Sequence, residues 1–285
     1  MPSLREIKRR IRTVSSTAQI TKALEMVSTS KMRRAQQMVL ASRPYSEKMR
    51  DVLADLAAQA SVLDAPPPLL QKRPVRKTAL VLFTADRGMA GALNTNILRL
   101  AAEFIRRQST PVVMVTVGRK GRDWMVRQGQ EIVAEFTHLG DRPTYDEIIP
   151  GARVVDSGYV QGLHDEVHVL YTQYVSTMSQ RPTSFQLLPV LPPPEGPGAI
   201  GEYIYEPSPE EVLRQLLPRF VEVQLYQTLV ETVASEHSAR MVAMRNATEN
   251  ANDITVELTL RYNKARQETI TKEIVEIASG AEALA

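Results

Sequence analysis

Two long stretches without glycine, one at each end of the chain, constrain its fold more than any other feature. Residues 3–60 and 208–279 contain no glycine, and beyond their first turns their only prolines are Pro44 and Pro218. Such stretches predict helices of about 58 and 72 residues, which would be about 87 and 108 Å long at 1.5 Å per residue. Because no globular core buries helices of that length, they must pair with each other or with a partner.

Both stretches begin with a helix-start signal. Ser3 stands three residues before Glu6, and Ser208 stands three residues before Glu211. This spacing is typical of a capping box, in which the serine and the glutamate each bind a free backbone N–H of the first turn.

Apolar residues at helical spacing run along both predicted helices and indicate a coiled coil. In the first helix we expect the seam to follow Leu4, Ile7, Ile11, Val14 and Ala18, then Ile20, Leu24 and Val27, and then Val52, Leu56 and Leu63. In the second helix the stripe follows Val212, Leu216, Val223, Val230, Val233, Met241, Met244, Ile254, Leu258, Ile270, Ile274 and Ile277.

The two helices join opposite ends of one middle segment, so we expect them to pair antiparallel. If residue 60 lies level with residue 209, Met26 lies near Ala243 and Leu4 lies near Ala265. About twenty C-terminal residues then extend beyond the pair as a single helix.

The middle segment alternates strand and helix patterns. Strands are expected in KTALVLFTA, PVVMVTV, EIVAEF, DEVHVLYTQYV and TSFQLLPV, with helices around 93–107 and 143–162. Alternation of this kind predicts an α/β layer on a mainly parallel sheet.

Proline-rich stretches at 64–74 and 189–197 separate the three parts, because proline removes a backbone donor and fixes φ. The predicted domains are a coiled-coil helix at 1–63, an α/β domain at 75–190 and a second coiled-coil helix at 208–285. The fold class is therefore α/β plus a long α-helical coiled coil, in which antiparallel N- and C-terminal helices flank an inserted Rossmann-like domain.

Two glycine-containing loops resemble phosphate-binding loops only in their position. The first loop follows a predicted strand and has the sequence Thr84-Ala-Asp-Arg-Gly-Met-Ala-Gly-Ala-Leu-Asn-Thr-Asn96. It has neither the G-x-G-x-x-G nor the G-x-x-x-x-G-K-[ST] pattern of phosphate-binding loops. Gly118-Arg-Lys-Gly121 could bind an anion at a helix start, but a tight turn with solvated cations is favoured. Both loops are therefore interpreted as structural turns.

The amino-acid composition and the spacing of the histidines argue against several kinds of active site. The chain has no cysteine, which excludes disulfides and thiol chemistry. His164 and His168 have the spacing of a helical metal pair, but they lie at the start of a predicted strand and lack a third ligand. We find no catalytic triad, no metal site and no cofactor motif, and the longest apolar run is too short to cross a membrane.

Charge is unevenly distributed along the chain. Residues 1–50 hold twelve Lys and Arg against three Asp and Glu, whereas residues 211–285 hold eight against eleven. A basic helix could meet nucleic acid, an anionic membrane or an acidic protein surface, and the charge alone does not choose among them. Its cations share the helix with an apolar seam, and no aromatic residues interleave for base stacking. Contact with protein is favoured over nucleic acid.

Three blocks, in order along the whole chain, resemble the γ subunits of rotary F-type ATP synthases. They are REIKRRIRTVSSTAQITKALEMVSTSKMRRAQ from Arg5, TADRGMAGALNTN from Thr84, and the C-terminal pair SEHSARMVAMRNATENA and YNKARQETITKEIVEIASGAEAL. Three such blocks at the family's spacing are a specific match. Glu282 departs from the usual small, apolar tail of the family, and the cysteine-bearing insert of the chloroplast relatives is absent.

The resemblance implies a non-catalytic, rotating central-stalk subunit without a cofactor. Its partners would be the α and β subunits of the catalytic hexamer, the ε subunit and the c-subunit ring, and it would reach the membrane only through that complex. It would be peripheral, at the cytoplasmic face of a bacterial plasma membrane, and would couple proton flow to ATP synthesis or the reverse.

The resemblance also carries over site residues by position. The residues that match β-subunit contacts in torque transfer are Arg266, Gln267, Thr271, Glu273, Met26 and Arg240. The residues that match contacts with the c ring and ε are Tyr203 and Glu206.

Two other classes of protein stay open from the residues alone. A structural coiled-coil adaptor would share the helices but would not depend on the C-terminal extension. A nucleotide-binding enzyme built on the α/β domain is disfavoured, because the phosphate loop is missing.

Overall fold

The computed structural model describes residues 3–60, 67–191 and 205–282. Its helices and strands are α1 (Leu4–Ala60), a 3-10 turn (Pro68–Leu70), β1 (Thr78–Phe83), α2 (Leu93–Arg107), β2 (Val112–Val117), α3 (Arg119–Arg127), β3 (Glu131–Phe136), α4 (Tyr145–Val160), β4 (Glu166–Ser176), β5 (Ser179–Leu188) and α5 (Pro209–Glu282). The chain forms two compact units, residues 1–28 with 241–285, and residues 29–240.

The two long helices form as the glycine-free stretches predict, with 57 residues in α1 and 74 in α5. Ser3 and Glu6 make the full capping box, since each backbone N–H donates to the other residue's side chain. At the start of α5 the Glu211 N–H donates to Ser208 Oγ over 3.2 Å.

In the first unit, the two helix ends pair antiparallel in the expected register. Thr21 and Thr248 share a hydrogen bond of 2.8 Å between their hydroxyls, and Arg245 Nε donates to Glu25 Oε1 over 3.2 Å. The same direction is seen in the second unit, where Ser42 Oγ lies 2.5 Å from Gln227 Oε1. The predicted antiparallel pairing is confirmed.

The predicted seam of α1 is wrong in one section. Ile20 and Val27 are 60% and 51% exposed, whereas Thr21, Glu25 and Ser28 are 9%, 6% and 3% exposed. The spacing of three and four that begins at Ile7 continues without a break through these polar residues. Their burial is tolerated because Thr248 and Arg245 of α5 form hydrogen bonds with Thr21 and Glu25. Leu63 lies outside the described residues.

The sheet in the second unit has the order β3-β2-β1-β4-β5, with β5 the one antiparallel strand of these five. All six residues of β1 are buried, as expected for the central strand of a sheet covered on both faces. The five predicted strands and the predicted helix at 93–107 are confirmed, and the helix expected at 143–162 covers Tyr145–Val160. The three-domain division of the sequence stays a prediction.

Buried residues of the sheet and of the long helices share one core. Val81, Val169 and Tyr159 of the α/β part belong to the same cluster as Val39 of α1 and Val230 of α5. Within residues 29–240, the helices are therefore part of the domain core. Among the helices of the described residues, none combines the length and the apolar character that spanning a bilayer requires.

A half-buried carboxylate on α4, that of Asp156, makes the stability of this unit depend on pH. Burial, with a smaller contribution from the charge of Glu222, raises the pKa of Asp156 to about 7. The folded chain thus holds this proton more tightly than the unfolded chain, where the pKa of Asp is about 3.9. The group's contribution to stability is greatest below about pH 4 and is lost as pH rises through about 7.

Replacing Asp156 with asparagine is therefore expected to stabilise the chain at about pH 8 and to change little at about pH 4. Urea denaturation at several pH values measures this difference. Asp146→Asn on the same helix is the matched control, because Asp146 is exposed. A pH profile that is the same for Asp156→Asn and wild type would contradict the burial argument.

Candidate functional site

The end of α5 is a solvent-exposed single helix. Every side chain from Arg266 to Ser279 is exposed, and the large apolar ones among them are Ile270, Ile274, Val275 and Ile277, which are 45%, 61%, 56% and 73% exposed. The predicted site residues Arg266, Gln267, Thr271 and Glu273 lie here, within about two turns of one another. A helix of this kind displays both charged and apolar groups to solvent, which is typical of a surface that meets a partner.

Met26 lies in the same unit, on the outer side of the paired part of α1. Its side chain is 60% exposed, and its neighbour Glu25 is buried in the seam. Lys22 Nζ and Arg245 Nε lie 3.0 and 3.2 Å from the Glu25 carboxylate. The hydrogen bond from Lys22 is the main cause that lowers the pKa of Glu25, so this buried carboxylate stays charged and paired.

Arg240 is placed differently, because its side chain is held inside the second unit. It is 8% exposed, and Nη2 lies 2.5 Å from Glu236 Oε1 and 3.2 Å from the carbonyl oxygen of Gly88. Burial raises the pKa of Glu236, and Arg240 opposes that effect. Arg240 therefore ties α5 to the loop that follows β1, and its contact with a β subunit stays a prediction.

The loop after β1 holds three strand ends together. Asp86 accepts hydrogen bonds from the backbone N–H of Arg119 at 2.8 Å and of His138 at 2.9 Å, one after β2 and one after β3. Thr84 Oγ1 accepts from the N–H of Gly121 at 2.8 Å. The first turn of α3, where the sequence left room for an anion at Gly118–Gly121, is thus capped by groups of the chain itself.

A cavity of about 320 Å³ lies beside this loop, between the strand ends and α5. His237 projects from α5 into its wall, and its side chain is 2% exposed. Burial lowers the pKa of His237 to about 4, so the ring is neutral at ordinary pH. Its Nε2 lies 3.3 Å from Asp141 Oδ1 but is not aligned for a hydrogen bond, while Lys31 Nζ holds the same carboxylate at 2.6 Å.

The remaining predicted residues are outside this cluster or outside the described part. Glu206 is exposed in the segment before α5, and Tyr203 lies outside the described residues. His164 contacts the carbonyl oxygen of Val155 at 3.0 Å, and His168 lies 3.2 Å from Glu166. Within residues 3–60, 67–191 and 205–282, no three His, Cys, Asp or Glu residues come together as a metal site.

Sequence reasoning missed the internal pairs of this region. The spacing of four between Glu236 and Arg240 predicts an ion pair on one helix face, so that pair could have been found. The contacts of Asp86 and Asp141 join residues between 33 and 110 positions apart, and no local pattern predicts them.

Two long antiparallel helices with an inserted α/β domain and an exposed helical end define a coiled-coil protein whose α/β domain caps the start of α3 with its own side chains. A family model described as ATP synthase matches residues 3–284. An ATP synthase gamma chain of Roseiflexus castenholzii is 56% identical over 289 residues, covering 100% of this chain and 99% of that one. That of Dehalococcoides mccartyi strain CBDB1 is 52% identical over 285 residues, covering 100% of both chains.

The chain therefore belongs to the ATP synthase γ-chain family. Solved structures share its fold at lower identity. A chain of the Euglena gracilis mitochondrial ATP synthase, in a structure of OSCP/F1/c-ring in rotational state 3, has a TM-score of 0.71 and 21% identity, covering 99% of this chain and 94% of that one. A chain of the Tetrahymena thermophila central stalk/c-ring has a TM-score of 0.62 and 22% identity, covering 80% and 99%.

Proposed function

We propose that this chain is the rotating central-stalk subunit of a bacterial, proton-translocating F-type ATP synthase. It turns inside a hexamer of α and β subunits and is carried by the c ring together with ε. The supporting observation is the exposed end of α5, where four large apolar side chains and Arg266 lie on a helix that has no second helix beside it among the described residues. A segment of this kind is stable when a partner surrounds it.

In the proposed mechanism, the stalk makes different contacts with each of the three β subunits. Three identical β subunits become unequal when an asymmetric helix end touches each of them differently, since a contact shifts an open–closed equilibrium only by its difference in free energy between the two states. Rotation of the stalk moves this bias from one β subunit to the next. By linkage, ATP hydrolysis in the hexamer drives the stalk in the reverse direction.

The chain itself is proposed to be non-catalytic. The Asp86 carboxylate and the Thr84 hydroxyl already use the N–H groups at the start of α3 that a phosphate would need. A pure preparation is expected to neither bind ATP tightly nor hydrolyse it, and turnover by such a preparation would contradict this assignment. We place the chain at the cytoplasmic face of the plasma membrane, held there by the c ring.

Replacing Arg266 and Gln267 together with alanine tests the proposed coupling. We expect ATP synthesis by the reconstituted complex to fall about fivefold or more, because the two side chains supply part of the contact that differs among the β subunits. The variant should fold as wild type does, since both side chains are exposed.

The matched control removes another exposed pair of the same helix, Glu257 and Arg261, whose side chains are 59% and 69% exposed. This double alanine variant should leave synthesis unchanged. Equal ATP synthesis by wild type and by the Arg266/Gln267 variant would show that these two residues do not take part in torque transfer.

A further inference from the structure

A second cavity, of about 260 Å³, opens between α1, β5 and α5 within residues 29–240. Its apolar lining includes Leu53, Leu70, Phe185, Val190, Leu191 and Phe220. It is larger than a cavity of about 150 Å³ that holds benzene in another protein. Its size suits a fused bicyclic ring system.

One cation stands at the rim of this apolar cavity. Arg50 lines it with an exposed side chain, and Nη2 donates to Gln224 Oε1 over 2.9 Å. Among the described residues, no carboxylate lies within ion-pair distance of Arg50, so the charge is paired only with a neutral amide.

Gln224 fixes the position of that cation. Its side chain is 4% exposed, and its Nε2 donates to Ser46 Oγ over 3.2 Å while its Oε1 accepts from Arg50. Arg50 is therefore oriented before any ligand arrives, and its side chain as a whole is exposed. Gln186, which also lines the cavity, donates to the carbonyl oxygen of Pro189 over 3.3 Å.

We propose that this cavity is a binding site for a compact apolar carboxylate of about ten to fifteen non-hydrogen atoms. The ring system displaces water from the walls around Phe185 and Phe220, and the carboxylate receives a charge-assisted hydrogen bond from Arg50. This site is separate from the exposed end of α5 and does not depend on the proposed rotation.

Charge selects the ligand class. A neutral ligand of the same shape gains the apolar contacts but leaves Arg50 bonded to water and Gln224, and a cationic ligand is repelled by the guanidinium.

Titration of the full-length chain with 2-naphthoate, followed by ligand-detected NMR, tests the proposal. We expect a Kd of about 0.1–1 mM, as the ligand efficiency of a compound of this size allows. The neutral isostere 2-naphthalenemethanol should bind about tenfold more weakly, since it lacks the ion pair with Arg50.

Two variants assign the binding to this cavity. Arg50→Gln should weaken naphthoate about tenfold and leave the alcohol unchanged, which abolishes the preference for the acid. Leu70→Trp should fill the cavity and prevent binding of both ligands. The matched controls are Arg153→Gln and Leu163→Trp, at exposed positions that do not line the cavity, and they should bind as wild type does.

Three results would overturn the proposal. One is the absence of naphthoate binding to the full-length chain, including the case in which another part of the chain occupies the cavity. Another is equal affinity for the acid and the alcohol. The last is unchanged affinity in Leu70→Trp while thermal denaturation shows that the variant is folded.

Discussion

Replacing Gly118 with alanine is expected to lower the free energy of unfolding of the α/β part by about 3–5 kcal/mol, from backbone strain and overpacking together. Gly118 follows β2 and has a φ of 100°, a conformation that residues with side chains rarely adopt. A Cβ atom there would lie 2.0 Å from the carbonyl oxygen of Thr84 and 2.7 Å from its carbonyl carbon.

These atoms cannot move aside easily, because they belong to paired backbone. The N–H of Thr84 donates to the carbonyl oxygen of Val117 over 2.8 Å, and the N–H of Gly118 donates to that of Phe136 over 2.7 Å. The substitution therefore forces apart the ends of β1, β2 and β3, which Asp86 connects through its hydrogen bonds to the backbone N–H groups of Arg119 and His138.

Gly129→Ala separates the two causes of the loss. Gly129 has φ of 68°, but an added Cβ would meet no atom within 4 Å. This control should lose only the backbone term, about 1–2 kcal/mol. Urea denaturation followed by circular dichroism measures both variants, and equal losses would show that the contact with Thr84 costs nothing.

Replacing Arg240 with alanine is expected to cost about 3–5 kcal/mol, the range for breaking a buried ion pair by removing one partner. The variant leaves Glu236 buried without its cation and leaves the carbonyl oxygen of Gly88 without its donor. The loss should grow as pH rises, because burial raises the pKa of Glu236 and the protonated acid costs less to keep buried.

Two comparisons make this prediction specific. Arg261→Ala breaks an exposed pair with Glu257 on the same helix and should cost less than about 0.5 kcal/mol. The double variant Arg240→Ala with Glu236→Gln should recover part of the stability, since no uncompensated charge then remains. Thermal denaturation at about pH 5 and pH 8 measures the stability of each variant. A loss of stability in Arg240→Ala no larger than that in Arg261→Ala would contradict this prediction.

The sequence predicted the helices and strands because their signals are local. Absence of glycine, the Ser3–Glu6 box and the apolar strand runs each act within a few residues, and each appears in the structure. The antiparallel register also followed, since it depends only on where two long helices join one middle segment.

The seam of α1 shows that local sequence signals do not decide which face of a long helix is buried. Several stripes on a long helix satisfy helical spacing, and hydrophobicity favoured Ile20 and Val27 over Thr21 and Glu25. The structure buries the polar stripe because Thr248 and Arg245 on α5 supply its hydrogen bonds. A buried polar group is tolerated when its partner is present, and the partner lies more than 200 positions away in the chain.

The sequence by itself determined two long helices, an inserted α/β layer, a helical end without a pairing helix and the lack of a phosphate loop, because glycine, proline and apolar spacing act locally. Only the tertiary structure decided that Arg240 is held inside by Glu236 and Gly88, that Asp86 caps α3, and that Arg50 stands over an apolar cavity. The physical reason is that charge pairing and cavity shape depend on distances between residues far apart in the chain, which no local pattern specifies.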